Sequence, residues 1–325
     1  MRKLALAMVL AFGSTCALAA VELKLGHFAS DTHPCGIAAM AFKSNVEKRT
    51  NGEVKISLFG NNALGSPPEV LEQVMLGAVD MSLSGQDQLA KHLPFYDVIS
   101  TPFAFKDYAT ADKIIDGDFK AWAASELLKK GLVHISDWEW GFRQLTNSKK
   151  SVLVPADLKG MKIRTPPAFA YQAFVEAAGG NAVTIAFAEL VMAMKQGVVD
   201  GQENPVGTIY DLKLYETQKY MSILNYTYSS MVHIITKKSW DKLTPAQQKI
   251  VAEESIASAK GARKMLRDNE AIQLKDLETT KGIIISRPDL KPWKAVMGPA
   301  WDKVKVRVGA DNFKRFMDMV EKNSK

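Results

Sequence analysis

The sequence predicts an α/β protein in which mostly parallel sheets are covered by helices. Short apolar stretches rich in β-branched residues alternate with longer amphipathic stretches, as in successive strand–helix units. The 325 residues suffice for two domains of ordinary size. Hydrophobic residues make up 47% and charged residues 24%, a balance typical of a globular protein with a substantial core.

The first 20 residues have the layout of a secretory signal peptide. Arg2 and Lys3 form a basic start, residues 4–13 are an apolar run, and residues 17–19 (Ala-Leu-Ala) form a small-residue cleavage pattern. The apolar run is too short to span a bilayer, which requires about 20 residues. We therefore expect cleavage after residue 19 or 20 and a mature protein outside the cytoplasm; a buried N-terminal helix is the alternative.

From residue 21 onward, predicted strands and helices alternate. The strands are short, apolar and β-rich, and are predicted at residues 21–26, 54–59, 80–83, 131–138, 161–164 and 182–185. The helices have longer amphipathic patterns and are predicted at residues 35–50, 68–77, 168–178 and 187–196. A helix between two strands favours their parallel pairing.

The C-terminal quarter is predicted to be mainly helical. Thr244 and Gln247 have the spacing of a capping box, which marks the start of a long charged, amphipathic helix. The helical pattern continues towards residue 281 with an interruption at Gly261, and helical content returns from residue 301.

Composition argues against several classes of protein. Cys35 is the only cysteine after the predicted signal peptide, so no internal disulfide is possible and a cysteine-based metal site is disfavoured. The net charge of the chain is +7, but basic residues are scattered and interleaved with acidic ones. That distribution argues against a nucleic-acid-binding surface.

Common catalytic signatures are missing from the sequence. There is no G-x-S-x-G, no H-E-x-x-H and no phosphate-binding glycine loop that ends in Lys-Ser/Thr. No two of the five histidines have helical metal-ligand spacing; they are His27, His33, His92, His134 and His233. The sequence therefore gives no support for an enzyme, a cofactor or a metal site.

Five strings between residues 140 and 220 are more specific. They are WGFRQLTN at 140–147, DLKGMKIRTP at 157–166, FAE at 187–189, QGVVDGQENP at 196–205 and YETQKY at 215–220. In this order and spacing they resemble the substrate-binding proteins of tripartite ATP-independent periplasmic (TRAP) transporters, the DctP-like family. The resemblance covers essentially the whole mature chain, and residues 197–205 are its most specific part.

The resemblance implies a two-lobed clamshell of α/β lobes, joined by hinge strands and a long helix. One lobe would comprise residues 21–141 plus 230–269, and the other residues 142–229 plus 270–325, after a signal peptide at residues 1–20. Such a periplasmic protein is not an enzyme and has no cofactor. It closes on a small carboxylate and delivers it to one small and one large membrane subunit of an ion-gradient-driven permease. We expect it to act as a monomer.

The resemblance also implies a set of ligand-binding residues. Arg164 matches an arginine that pairs with the ligand carboxylate, and a planar guanidinium suits a carboxylate because it donates two parallel hydrogen bonds. Without the family, a surface arginine at a strand end is the simpler interpretation. Arg143 matches a second arginine of the cleft; it would contact a second carboxylate or a hydroxyl, or hold the hinge between the lobes.

The other predicted site residues have structural alternatives. Asn204 matches a cleft asparagine, but an asparagine before Pro205 also suits a helix cap. Phe187 matches an aromatic that packs on the ligand, with core packing as the alternative. Further predicted contacts come from the stretches that contain Trp140, Phe28 and Gln86.

Three features of the site remain open. Glu203 is interpreted as structural, because a bare carboxylate repels an acidic ligand. Tyr226 stands where many relatives have a histidine, a departure that either alters ligand choice or affects only surface packing. The aromatic run Trp138-Glu139-Trp140 beside Arg143 is compatible with a hydroxylated monocarboxylate such as a sugar acid.

The ligand class and the partner also have alternatives. The family takes C4-dicarboxylates, keto acids, hydroxy acids and sugar acids. A binding protein for an ATP-driven importer or a periplasmic sensor is the second functional hypothesis, and a periplasmic enzyme is the third.

Overall fold

The computed structural model describes residues 20–324, and within them ten strands form one connected sheet. The strand order along its main path is β2-β1-β3-β9-β4-β7-β5-β6, and β8 joins β10 to β4 at the side. The strands are β1 (Val21–His27), β2 (Val54–Phe59), β3 (Met81–Gly85), β4 (Leu132–Asn147), β5 (Lys162–Thr165), β6 (Asn181–Thr184), β7 (Gly201–Pro205), β8 (Tyr220–Ser222), β9 (Tyr228–Thr236) and β10 (Ile284–Ser286).

Thirteen α-helices accompany these strands in the described part of the chain. They are α1 (Pro34–Arg49), α2 (Pro67–Met75), α3 (Gln86–Leu89), α4 (Tyr108–Ile115), α5 (Asp118–Leu128), α6 (Phe169–Ala177), α7 (Leu190–Lys195), α8 (Val206–Asp211), α9 (Lys237–Trp240), α10 (Pro245–Thr279), α11 (Leu290–Ala295), α12 (Gly298–Val308) and α13 (Ala310–Asn323). The α/β class predicted from the alternation is confirmed.

Strand β4 joins the two halves of the sheet. Its residues 132–142 pair with β9, whereas residues 143–147 pair with β7 and β8. The change of partner follows an irregularity at Gly141, whose φ of 117° favours glycine. Pairing is parallel within the outer strands of each half and antiparallel around β4 and β9. A single long strand therefore connects two α/β lobes.

Helix α10 is the long connecting helix. The Thr244 side chain accepts a hydrogen bond from Gln247 N, and the Gln247 side chain accepts one from Thr244 N, so the predicted capping box is present. The predicted interruption at Gly261 is wrong, since the helix continues through it for 35 residues. A glycine costs a helix only about 1 kcal/mol, and the neighbouring Ala259 and Ala262 anchor this turn in the core.

Four apolar clusters lie on the faces of the sheet, two in each lobe. One of them includes residues of the C-terminal helix α13. Phe316, Met319 and Val320 of α13 pack in the same cluster as Phe119 and Trp122 of α5. Although residues 270–325 were assigned to the second lobe, α13 thus packs against the first.

No helix between residues 20 and 324 has both the length and the apolar character that crossing a membrane requires. The predicted signal peptide lies, except for Ala20, outside the described residues.

The buried histidine of β9 makes stability sensitive to acid. Burial, followed by the nearby His134 and His27, lowers the pKa of His233 from 6.5 to about 3. Its Nδ1 pairs with Ser255 Oγ at 2.6 Å, and its Nε2 has no partner among the described residues. Because the unfolded chain takes up this proton first, stability contributed by the neutral ring is complete above pH 6.5 and falls as the pH drops towards 3.

We therefore expect the free energy of unfolding to fall more steeply below pH 6.5 in the wild type than in His233→Gln. The difference in slope should approach about 1.4 kcal/mol per pH unit near pH 5. Urea unfolding at pH 7, 6 and 5 measures it, and parallel curves for the two proteins would show that His233 is not the titrating group.

Candidate functional site

A cavity lies where the two lobes meet. Residues of the first lobe, of the second lobe and of strands β4 and β9 surround it. The lining consists of Phe28, Pro67, Gly85, Asp87, Gln88, Trp140, Arg143, Arg164, Pro166, Phe187, Asn204, Ser229 and Ser230. Six of the seven predicted site residues are therefore brought together at one cavity.

Arg164 lines this cavity, and its guanidinium is only partly hydrogen-bonded within the protein. It lies on β5 and is fully buried, and its Nε donates to the carbonyl oxygen of Ile185 at 2.9 Å. Neither Nη1 nor Nη2 has a hydrogen-bond partner among the described residues. Burial lowers the pKa of Arg164 to about 10, with Glu203 opposing the effect. A buried cation in this state favours an anionic partner that supplies two acceptors.

Arg143, in contrast, is occupied by protein groups. Its Nε and Nη2 donate to the carboxylate of Glu203, the second bond at 2.9 Å, and Nη2 also donates to the Glu203 carbonyl at 2.7 Å. Its Nη1 donates to Ser229 Oγ at 3.3 Å, and the Tyr171 ring lies 4.5 Å from the guanidinium carbon. Burial alone lowers the pKa of Arg143, but the combined effects of Glu203, Tyr171 and Tyr226 outweigh burial and raise it.

Glu203 forms a buried ion pair with Arg143, and Tyr226 donates a hydrogen bond to it. Glu203 is fully buried on β7, and the Tyr226 hydroxyl donates to its Oε2 at 2.5 Å. The Tyr226 ring stacks on Phe174 with centroids 3.7 Å apart. Tyr226 therefore lies in the core behind the cavity, which excludes the surface-packing alternative.

Asn204 does not cap a helix. It belongs to β7, and α8 begins only after Pro205, which occupies the cap position. The Asn204 Oδ1 accepts a hydrogen bond from Arg143 at 3.2 Å, and its Nδ2 donates to Gln202 at 2.6 Å. The strand thus holds the amide against the cavity wall.

Three aromatic rings form the apolar wall. The Phe28 ring lies 4.8 Å from Trp140 and 5.2 Å from Phe187, both in edge-to-face geometry. The His33 ring also stacks on Trp140, with ring centroids 4.1 Å apart. Phe28 and Trp140 belong to the first lobe and Phe187 to the second, so this wall spans the junction between the lobes. Trp138, two residues away on β4, is instead fully buried in the first-lobe core.

Gln86 lies behind the wall and does not line the cavity. Its Nε2 donates to Ser100 at 3.1 Å and to the carbonyl of Tyr228 at 2.9 Å. Its Oε1 accepts from the backbone N and the hydroxyl of Ser230 at 2.9 and 2.7 Å. With its amide fully engaged, Gln86 positions Ser230, which does line the cavity.

Sequence reasoning missed several lining residues, notably Asp87, Gln88, Ser229 and Ser230. The polar run that follows β3 is a detectable signal for Asp87 and Gln88, because loops at strand ends often carry binding groups. No local pattern marks the two serines, which reach the cavity through the antiparallel pairing of β9 with β4.

Metal or nucleophile chemistry finds no support in the described chain. Among residues 20–324, no group of three or more His, Cys, Asp or Glu side chains is placed to hold a metal ion. Cys35 is buried, donates through Sγ to the Glu139 carbonyl at 3.2 Å, and has its pKa raised by burial. A thiol in this state is unreactive.

Comparison with known families decides the assignment. The model of the family described as "Bacterial extracellular solute-binding protein, family 7" matches residues 25–307. The chain belongs to this family. The predicted resemblance to DctP-like TRAP solute-binding proteins is thereby confirmed.

Individual family 7 proteins are similar over most of their length. The 2,3-diketo-L-gulonate-binding periplasmic protein of Escherichia coli is 32% identical over 89% of this chain and 88% of its own. The C4-dicarboxylate-binding periplasmic protein of Rhodobacter capsulatus is 30% identical over 90% and 88%. The sugar acid binding protein of Advenella mimigardefordensis in complex with galactonate superimposes with a TM-score of 0.90 at 27% identity, covering 94% of this chain and 99% of its own.

Membership of family 7 fixes the broad activity. The chain is a TRAP-type solute receptor and not an enzyme. The family is one of periplasmic solute-binding proteins, and the two-lobed α/β fold agrees with this assignment.

Proposed function

We propose that the two lobes close around one small carboxylate, which Arg164 binds with both of its free nitrogens. The observation that carries this proposal is the fully buried guanidinium whose Nη1 and Nη2 have no partner among the described residues. A carboxylate offers two acceptors with matching geometry. Binding therefore pairs a charge that is otherwise buried without compensation.

The remaining predicted residues complete the site in this proposal. Phe28, Trp140 and Phe187 pack on the apolar part of the ligand, and Asn204 offers its amide to a polar group. Arg143 contributes mainly by holding Asn204, since its own donors are already engaged. Because the ligand contacts both lobes, it binds the closed form more tightly than the open form, and that difference drives closure.

Contacts at the rim support a closed arrangement of this kind. Ser30 Oγ donates to Asp211 Oδ2 at 2.7 Å, and Thr32 Oγ1 donates to Asp211 Oδ1 at 2.6 Å. Ser30 and Thr32 follow β1 in the first lobe, whereas Asp211 ends α8 in the second. These hydrogen bonds join the lobes without involving the ligand.

The partners complete the proposal. An N-terminal signal peptide at residues 1–20 would direct the chain to the periplasm. There the monomeric, ligand-closed receptor would deliver its solute to a permease of one small and one large membrane subunit, driven by an ion gradient. Uptake into vesicles that hold both subunits should then require an ion gradient and no ATP; dependence on ATP would favour an ATP-driven importer.

Binding is tested on residues 21–325, unfolded and refolded to remove any retained solute. We expect one group of small acids to raise the melting temperature in a library of dicarboxylates, keto acids, aldonates, uronates and amino acids. A ligand present at 100 times its Kd stabilises the folded state by about 2.7 kcal/mol. Isothermal titration should confirm the hit with a stoichiometry of one, and the absence of any hit from a folded sample would contradict the proposal.

A further inference from the structure

A carboxylate that forms no ion pair with a described basic residue lies in the wall of the Arg164 cavity. Asp87, the second residue of α3, lines the cavity beside Gly85 and Gln88. Its Oδ2 accepts a hydrogen bond from the Gln88 side chain. A carboxylate at this place is unexpected in a site that binds acids, because it repels a second negative charge.

Three basic side chains around Asp87 are paired with other acids. Lys91 and Arg307 line the neighbouring hollow on the other side of Asp87, but Lys91 pairs with Glu72 and Arg307 with Asp97. Arg143 pairs with Glu203. Burial raises the pKa of Asp87, and the positive charge of Arg143 opposes that rise only in part.

The charges of the cavity wall therefore fall into two groups. Arg143 and Glu203 form a buried pair, which leaves Arg164 as a cation and Asp87 as an anion that form no ion pair among the described residues. The negative charge of Asp87 nevertheless acts to raise the pKa of Arg164 and so offsets part of the effect of burial. A ligand with one carboxylate satisfies Arg164. A second carboxylate would find no free guanidinium and would be buried in the same cavity as Asp87, an unfavourable placement.

We propose that Asp87 is a specificity-determining residue that accepts hydrogen bonds from the hydroxyl groups of a polyhydroxylated monocarboxylate and disfavours dicarboxylates. This inference rests on the proposed function, in which Arg164 binds the ligand carboxylate. The rings of Phe28, Trp140 and Phe187 fit such a ligand, since its C–H faces pack on aromatic surfaces while its hydroxyls face polar groups. The ligand class is thus an aldonate or a closely similar sugar acid.

The sharpest test uses two ligands that differ at one end. Galactonate and galactarate share their carbon chain and hydroxyl groups, but galactarate has a carboxylate where galactonate has a hydroxymethyl group. We expect the wild type to bind galactonate at least about tenfold more tightly in isothermal titration. Asp87→Asn should reduce this preference for galactonate over galactarate by about tenfold or more. The amide removes the repulsion of the second carboxylate and accepts weaker hydrogen bonds from the ligand hydroxyls.

Asp118→Asn is the matched control, since Asp118 is an exposed acid paired with Lys322, and it should leave the ratio unchanged. Equal or tighter binding of galactarate by the wild type would overturn the inference, even if Asp87→Asn failed to fold. The inference would also be overturned if Asp87→Asn left the ratio of the two dissociation constants unaltered. Tighter binding of an α-amino acid than of either sugar acid would overturn it as well. In each of these cases the proposal that the protein binds an acid is unaffected. A folded wild type that binds no acid would instead contradict the proposed function.

Discussion

Replacing Arg164 by methionine is expected to abolish ligand binding while leaving the ligand-free protein at least as stable as the wild type. The guanidinium is fully buried, and its single hydrogen bond goes to the Ile185 carbonyl. Loss of that bond costs about 1 kcal/mol, whereas removal of an uncompensated buried charge is favourable by a similar or larger amount. If Arg164 instead stabilised the fold, its replacement would lower the stability of the ligand-free protein and leave ligand binding intact.

Lysine at the same position should also fail to bind. An ammonium cannot donate two parallel hydrogen bonds to one carboxylate, and burial favours its neutral form. Because hydrogen bonds to charged groups contribute about 1.5–3 kcal/mol each, we expect the Kd of Arg164→Lys to rise by about a hundredfold or more.

Isothermal titration of the acid identified in the screen measures this effect, and urea unfolding without ligand measures stability. Arg287→Lys serves as the matched control because Arg287 is exposed, and both its affinity and its stability should equal those of the wild type. Wild-type affinity in Arg164→Lys would show that the carboxylate is bound elsewhere.

The positions of the main candidate binding residues were predictable because they lie in specific sequence strings. The string around Arg164 places it on a short strand, and the string at 196–205 places Asn204 on the neighbouring one; the two strands pair in parallel. The sequence did not reveal which of the two arginines, Arg143 or Arg164, has guanidinium nitrogens that are not engaged by described protein groups. That depends on the register of β4 and β7, which puts Glu203 opposite Leu145 and therefore diagonal to Arg143 on the same face.

Side-chain direction explains the other differences between prediction and structure. Gln86 and Asp87 are adjacent at the start of α3, yet only Asp87 reaches the cavity while Gln86 points to Ser100 and Ser230. Consecutive residues at a helix start point in different directions, so the segment was predictable and the residue was not. Similarly, the apolar stripe of α13 requires a buried face, but an apolar stripe does not specify which lobe covers it.

The ion pair behind the cavity should give the largest change in stability. Glu203→Gln keeps the shape of the side chain but leaves the buried Arg143 without its counter-charge. Removing one partner of a buried pair costs about 3–5 kcal/mol, a large part of the total stability of an ordinary domain. We expect urea unfolding of Glu203→Gln to show a loss of this size.

Two further variants separate the ion pair from its surroundings. Tyr226→Phe removes only the hydroxyl that donates to Glu203 and retains the ring stacked on Phe174, so it should cost about 1–3 kcal/mol. The double variant Arg143→Met with Glu203→Gln removes both charges and should recover part of the loss seen in Glu203→Gln. If the loss of stability in the double variant equals the sum of the losses in Arg143→Met and Glu203→Gln, the two residues do not act as a pair. If it recovers stability, Arg143 and Glu203 act as a buried pair, and Arg164 is the cavity arginine whose Nη1 and Nη2 have no partner among the described residues.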